Sequence, residues 1–199
     1  MKTRITSEDF NVMTWGRLDD LIVKIADQVK LFCASEGIHV DYMLPVLRGG
    51  GIPAIMLSYK LGIRKFQAIQ TEHDYSAHMV VESLNSLEAL HDKTRDYVIL
   101  LVDCYHATGR TAESMYDRIK SILPRARVIY AVVGRDLMHL EDNREFLYSC
   151  CGFVSNECGI VAKVRRCYAH TLNKITLFPW ENLPEEVTKM NEELENEGI

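Results

Sequence analysis

No apolar run in the 199 residues reaches the length a membrane span needs, about 18 residues. The N-terminal MKTRITSEDF has no apolar core of the kind a secretory signal carries. Both absences point to the cytoplasm, where the six cysteines are expected as reduced thiols rather than a disulfide framework. Paired C-x-x-C spacings are missing too. Cys150, Cys151, Cys158, Cys167 and His170 cluster in sequence, but adjacent cysteines are not a zinc-ribbon pattern, so buried thiols are expected and no resident metal. A dominant basic patch is also lacking, which argues against a nucleic-acid surface. Charge is instead unevenly acidic. The net is −5, and residues 180–199 hold seven Glu against one Lys, which reads as a solvated terminal helix. There is no internal repeat and no low-complexity tract.

What is present is an alternation of strand and helix signals. Thr14 suits the N-cap of a helix whose apolar positions, Leu18, Leu21, Ile22, Ile25, Val29 and Phe32, share one face, with Gly37 as its stop. Residues 42–47 read as a short strand, with Pro45 as a misfit because proline removes a ladder donor. Arg48-Gly49-Gly50-Gly51 turns the chain into a second helix, with Pro53 at its first position and Gly62 at its end. Residues 66–70 suit a strand, and 72–95 a long polar loop. Residues 97–102 form a near-continuous apolar run, as expected of a strand covered on both faces. A turn over 103–110, a helix over 111–123 and a buried strand over 127–133 follow. This order implies an α/β domain with a mostly parallel sheet. The pattern weakens at Asp136. The expected organisation is therefore a core over 1–135, with the N-terminal segment able to join a hood. A Cys-rich hood and last strand follow over 136–181, and an acidic terminal helix over 182–199.

The segment with the most chemistry in it is 98–112. A buried strand delivers Asp103 to its C-terminal end, and a loop then enters a helix N-terminus. Ligands bind at that edge of open α/β sheets. Unpaired N–H groups and the positive end of the helix dipole suit a phosphate there. Thr108 and Thr111 add hydroxyl donors, Gly109 allows close approach, and Asp103 sits where sugar hydroxyls donate to it.

Val102-Asp103 followed by Ala107-Thr108-Gly109-Arg110-Thr111 resembles the phosphoribosyl-diphosphate signature of type I phosphoribosyltransferases. Leu47-Arg48-Gly49-Gly50-Gly51-Ile52-Pro53-Ala54 is similar to their pyrophosphate loop, continued by Lys60-Leu61-Gly62-Ile63-Arg64. Thr14-Trp15 and Phe178-Pro179-Trp180-Glu181 are similar to the xanthine–guanine members and their relatives. The resemblance implies a three-layer fold with a small hood, and transfer of ribose 5-phosphate from phosphoribosyl diphosphate to a purine-like nitrogen base with Mg²⁺. It also implies a homo-oligomer. The catalytic residues it implies are Asp103 and Arg48. Substrate-binding roles fall on Arg48, Gly49, Gly50, Asp103, Cys104, His106, Ala107, Thr108, Gly109, Arg110, Thr111, Arg135 and Ile175. The backbone N–H groups of residues 49–51 are expected on the leaving pyrophosphate.

Four positions depart from that pattern. Cys104 stands where the family has a second acid for the ribose. Ala107 stands where the xanthine–guanine members carry an acid thought to assist the purine's deprotonation. Ile175 aligns with their base-stacking aromatic, and Gly134 with a lysine on the purine's exocyclic oxygen, which leaves Arg135 as the next cation. A second reading is a non-catalytic binder of phosphoribosyl diphosphate or nucleotides.

Overall fold

The computed structural model describes residues 4–73, 79–83, 87, 92–137, 146–155 and 174–196. The described residues form eight strands and four helices, after a short 3-10 turn at Ser7–Asp9. They are β1 (Phe10–Val12), α1 (Trp15–Glu36), β2 (Tyr42–Leu47), α2 (Gly51–Leu61), β3 (Ile69–His73), β4 (Met79–Ser83), β5 (Val98–His106), α3 (Arg110–Ile122), β6 (Arg127–Asp136), β7 (Tyr148–Ser155), β8 (Ile175–Leu177) and α4 (Leu183–Asn196).

The main sheet has the order β4-β3-β2-β5-β6-β7. Its five strands from β3 to β7 are parallel, and β4 adds an antiparallel edge. Alternation along β5 explains its continuous apolar run. Val98, Leu100 and Val102 face a core shared with α1 and α2, while Ile99 and Leu101 face a core shared with α3. The sheet is thus covered on both sides, giving three layers.

α1 forms as its sequence dictates. The Thr14 side chain accepts a hydrogen bond from the Arg17 N–H, and Gly37 closes the helix in the left-handed region at φ 64°. Leu18, Leu21, Ile22, Ile25 and Val29 are all buried. Pro45 is accommodated inside β2. Met43 hydrogen-bonds through its N–H and carbonyl to Lys65 and Gln67, so by alternation Pro45 faces the same side. The β2–β3 pairing is interrupted there, between the Met43↔Phe66 bridge and Val46, so the donor that proline lacks falls in that gap.

Several boundaries differ from expectation. The polar segment after residue 70 is not all loop, because β3 continues to His73 and pairs with β4. β5 runs on through Asp103 to His106, and β6 to Asp136. The core also passes the expected boundary at 135, since β7 pairs with β6 from Ile129↔Tyr148 to Asp136↔Ser155. Cys150 and Cys151 therefore belong to the main sheet, whose helix-side cores they join, and not to a separate lobe. Cys158, Cys167 and His170 lie outside the described residues.

A second, two-stranded sheet pairs β1 with β8 in parallel. Ile5, Phe10, Ile175 and Leu177 form its small core against Leu183, Val187 and Met190 of α4. No helix among the described residues is long and apolar enough to cross a membrane.

Candidate functional site

The chain leaves β2 to one side, toward β3, and leaves β5 to the other, toward β6 and β7. β2 and β5 are neighbours, so the topological switch point lies between them. Their C-terminal ends release the two loops singled out in the sequence, which is where open α/β sheets place a ligand crevice.

The loops are packed into one another. A Cβ on Gly49 would lie 2.5 Å from the Cys104 sulfur and 3.8 Å from a carboxylate oxygen of Asp103. A Cβ on Gly50 would collide with the backbone carbonyl oxygens of Val102 and Val46. Glycine at both positions is thus a steric requirement of the loop contact. The Leu47–Arg48 peptide bond is cis, and Arg48 itself is exposed at the rim.

Hydrogen bonding narrows which donors are free for an anion. The Gly50 N–H donates to the Val46 carbonyl at 2.8 Å, and the Gly51 N–H to the Arg48 carbonyl at 3.0 Å. Those two are engaged within the turn, contrary to the expectation for residues 49–51. Among the described residues the Gly49 N–H has no such partner. At the second loop, Gly109 is the N-cap of α3 with φ 81°, and no side chain caps that helix. α1 by contrast is capped by Thr14. The N-cap of α3 thus offers no side chain to its first turn, which lies beside Thr108 and Arg110, which are exposed, and Ala107 and Thr111, which are half-buried.

Asp103 is only 7% exposed, and its carboxylate accepts from the Cys104 N–H at 2.7 Å. Burial pushes its pKa up to about 7, against the lowering effect of the Cys104 hydrogen bonds. Burial also lifts the Cys104 thiol well above its ordinary value, with the negative charges of Asp103 and Glu181 acting in the same direction. Cys104 is accordingly a neutral packing group under Gly49.

Three expected site residues sit elsewhere. His106 is not in a loop. It is 2% exposed at the end of β5, with Nδ1 at 3.2 Å from the Tyr130 hydroxyl. Arg135 is buried as well. It donates to Ser149 Oγ and lies 5.8 Å from the centre of the Tyr130 ring, a residue of the α3-side core. Ile175 packs in the small core with Ile5, Phe10 and Leu177. Gly134 has its own steric reason, since a Cβ there would meet Phe153 at 2.5 Å and Tyr105 at 2.7 Å. A lysine side chain cannot start from that point without moving both rings.

Sequence reasoning missed a polar set on the same sheet edge. The Tyr105 hydroxyl lies 2.7 Å from Ser155 Oγ and 3.5 Å from a carboxylate oxygen of Asp136. They stand at the C-terminal ends of β5, β7 and β6, and only a knowledge of β7 would have aligned them. Glu181 was singled out as part of a motif without a role. Its carboxylate accepts from the Phe178 N–H at 2.7 Å, closing the turn on which Phe178 and Trp180 stack with centroids 4.9 Å apart.

No protein-family model matches the chain. Solved structures do. A purine phosphoribosyltransferase from Pyrococcus horikoshii superposes with a TM-score of 0.60 at 21% identity, over 87% of this chain and 95% of that one. A hypothetical protein from Neisseria gonorrhoeae with bound ppGpp gives 0.64 at 18% identity, over 95% and 97%. A xanthine-guanine-hypoxanthine phosphoribosyltransferase from Helicobacter pylori gives 0.59 at 12%, over 90% and 99%. The chain has the type I phosphoribosyltransferase fold: a mixed α/β domain around a five-stranded parallel sheet.

Proposed function

We propose that the chain binds phosphoribosyl diphosphate and transfers its ribose 5-phosphate to a purine-like base, releasing pyrophosphate. The observation that supports this most is the contact of Gly49 and Gly50 with Val102, Asp103 and Cys104, which joins two anion-suited loops on either side of one carboxylate.

In this reading the first turn of α3, with Thr108 and Thr111, holds the 5-phosphate. Asp103 accepts a hydrogen bond from a ribose hydroxyl. Arg48 and the Gly49 N–H meet the diphosphate at the other loop. The bond from C1 to the diphosphate oxygen breaks, and its electron pair leaves with pyrophosphate. A bond from C1 to the base nitrogen forms, and the proton on that nitrogen passes to solvent or to the departing pyrophosphate. The protein's contribution is placement of the base beside C1 and fixed positive charge where negative charge develops.

Among the described residues no three His, Cys, Asp or Glu side chains are grouped to hold a metal ion. The residues fit Mg²⁺ in the way it commonly binds, through substrate phosphates and one or two carboxylates, and Asp103 is the carboxylate that would serve. Bound there, Mg²⁺ would neutralise diphosphate oxygens.

A second reading, a non-catalytic binder of phosphoribosyl diphosphate or a nucleotide, draws on Cys104 in place of an acid and on the ppGpp held by the N. gonorrhoeae structure. One experiment separates the two. The protein is incubated with phosphoribosyl diphosphate, Mg²⁺ and a panel of purine and pyrimidine bases, and pyrophosphate is measured. Base-dependent release is expected. Calorimetric binding of the donor with no release from any base would select the second reading instead.

A further inference from the structure

A cavity of about 630 Å³ opens on the opposite edge of the sheet from the candidate site. It lies where α1 and α2 end and β2 begins, about 20 Å from the Arg48 turn by the length of that strand. Its apolar lining comes from Val29, Ile38, Val40, Leu61 and Ile63. Around these stand Lys30, Arg64, Lys65 and Arg95, with His39, and Asp41 is the one acidic residue of the lining. The cavity is therefore strongly positive in a chain whose net charge is −5.

Asp41 does not neutralise that charge. Its carboxylate already accepts from the Val98 N–H at 2.9 Å and from Arg95 at 3.0 Å, with His39 at 3.7 Å. Lys30 has only a 4.0 Å contact to Asp27 on its own helix, and Arg64 and Lys65 have no carboxylate partner among the described residues. Two of the cations are held in place by rings. Lys65 lies 5.6 Å from the centre of Tyr42, and Arg95 5.0 Å from the centre of Tyr97, while the two tyrosines pack edge to face at 5.6 Å. Such contacts pre-orient a charged side chain and reduce the entropy lost on binding.

The carbonyl ends of α1 and α2 point to this edge and oppose an anion. Lys30, Arg64 and Lys65 therefore have to supply the attraction, and a singly charged ligand would be held poorly. We infer that this cavity is a second ligand site, for a nucleoside polyphosphate, whose phosphates meet Lys30, Arg64 and Lys65 while its base lies on the apolar lining. Pockets of this volume suit a ligand of that size. The cavity lies a strand's length from the Arg48–Gly50 turn, so the ligand bound there is distinct from the substrate of the candidate site.

The test does not depend on catalysis. Binding of GTP and of inorganic tripolyphosphate to the full chain is measured by calorimetry, with amide chemical shifts as the map. Two GTP events are expected, one of them moving the Gly37 and Gly62 amides. The double substitution Arg64→Glu/Lys65→Glu should weaken that event at least tenfold and spare the other, while Thr111→Asp should do the reverse. GTP should also bind the cavity more tightly than tripolyphosphate does. If Arg64→Glu/Lys65→Glu lowers the melting temperature yet leaves every GTP event unchanged, the cations serve only the helix ends and the site does not exist. A single GTP event that Thr111→Asp abolishes overturns it equally.

Discussion

Asp103→Asn isolates the effect of burial on the carboxyl at the centre of the candidate site. Burial raises its pKa from 3.8 to about 7. The folded chain therefore holds the proton more tightly than the unfolded chain does. The folded state binds more protons between roughly pH 4 and pH 7, so stability falls as pH rises through that window. The contribution is fully present below about pH 4, where both states are protonated, and is lost above about pH 7. A shift of about three units corresponds to ~4 kcal/mol at most. Asparagine does not ionise, and any cost of its amide, about 1–3 kcal/mol if one hydrogen bond is left unmade, is the same at every pH. Urea unfolding of both proteins at about pH 5 and about pH 8.5 then gives the answer by difference. The variant should gain about 3 kcal/mol on the wild type between the two conditions. A gain below about 0.5 kcal/mol would mean that Asp103 is hydrated in the folded chain, and the reasoning from burial would be wrong.

Ionisation of Asp103 also predicts how the donor binds. If a ribose hydroxyl donates to the carboxylate, only the ionised fraction is competent, and the Kd for phosphoribosyl diphosphate should tighten about tenfold between roughly pH 6 and pH 8. Calorimetry on Asp103→Asn, where that dependence should vanish, controls for titration of the ligand's own phosphates. Gly49→Ala should destabilise by about 1–3 kcal/mol, because its methyl group would meet the Cys104 sulfur. Cys104→Ala should return part of that loss, giving a coupling of at least about 0.5 kcal/mol in a double-mutant cycle by urea unfolding; strict additivity would deny the contact. Thr14→Ala should cost about 1 kcal/mol in the same assay, since it removes the acceptor for the Arg17 N–H.

The sequence was most legible where one physical signal decides. α1 announced its cap, its buried face and its glycine stop, and the structure has each of them. The turn at Gly49 and Gly50 and the one over 107–109 were legible because strand, turn and helix signals meet there, although the second turn is shorter than expected. β7 was not legible. Its sequence, Tyr148–Ser155, has two adjacent cysteines and a glycine, with no clean alternation, and only its pairing with β6 makes it a strand. His106 was misread for a related reason. A polar residue after an apolar run looks like a loop, yet β5 continues and the Tyr130 hydroxyl gives the ring a partner inside the core. Arg135 is a similar case, buried through Ser149 and the face of an aromatic ring. Ile175 was assigned by alignment alone, and alignment does not reveal that β8 pairs with the first strand of the chain.

That pairing of β1 with β8 constrains how the protein can be made. Phe10 pairs with Ile175, and the side chain of Asn191 takes both the N–H and the carbonyl of Ile5, each at 2.9 Å. The segment around Ile5 and Phe10 thus waits for residues some 165 or more positions later before its apolar residues are covered. Closing so long a stretch of chain is slow in comparison with the local contacts of α1 or of the β2–α2 unit. The main sheet can be complete while Ile5 and Phe10 are still exposed, and in that interval a nascent or truncated chain presents a short sticky strand to its neighbours and to chaperones.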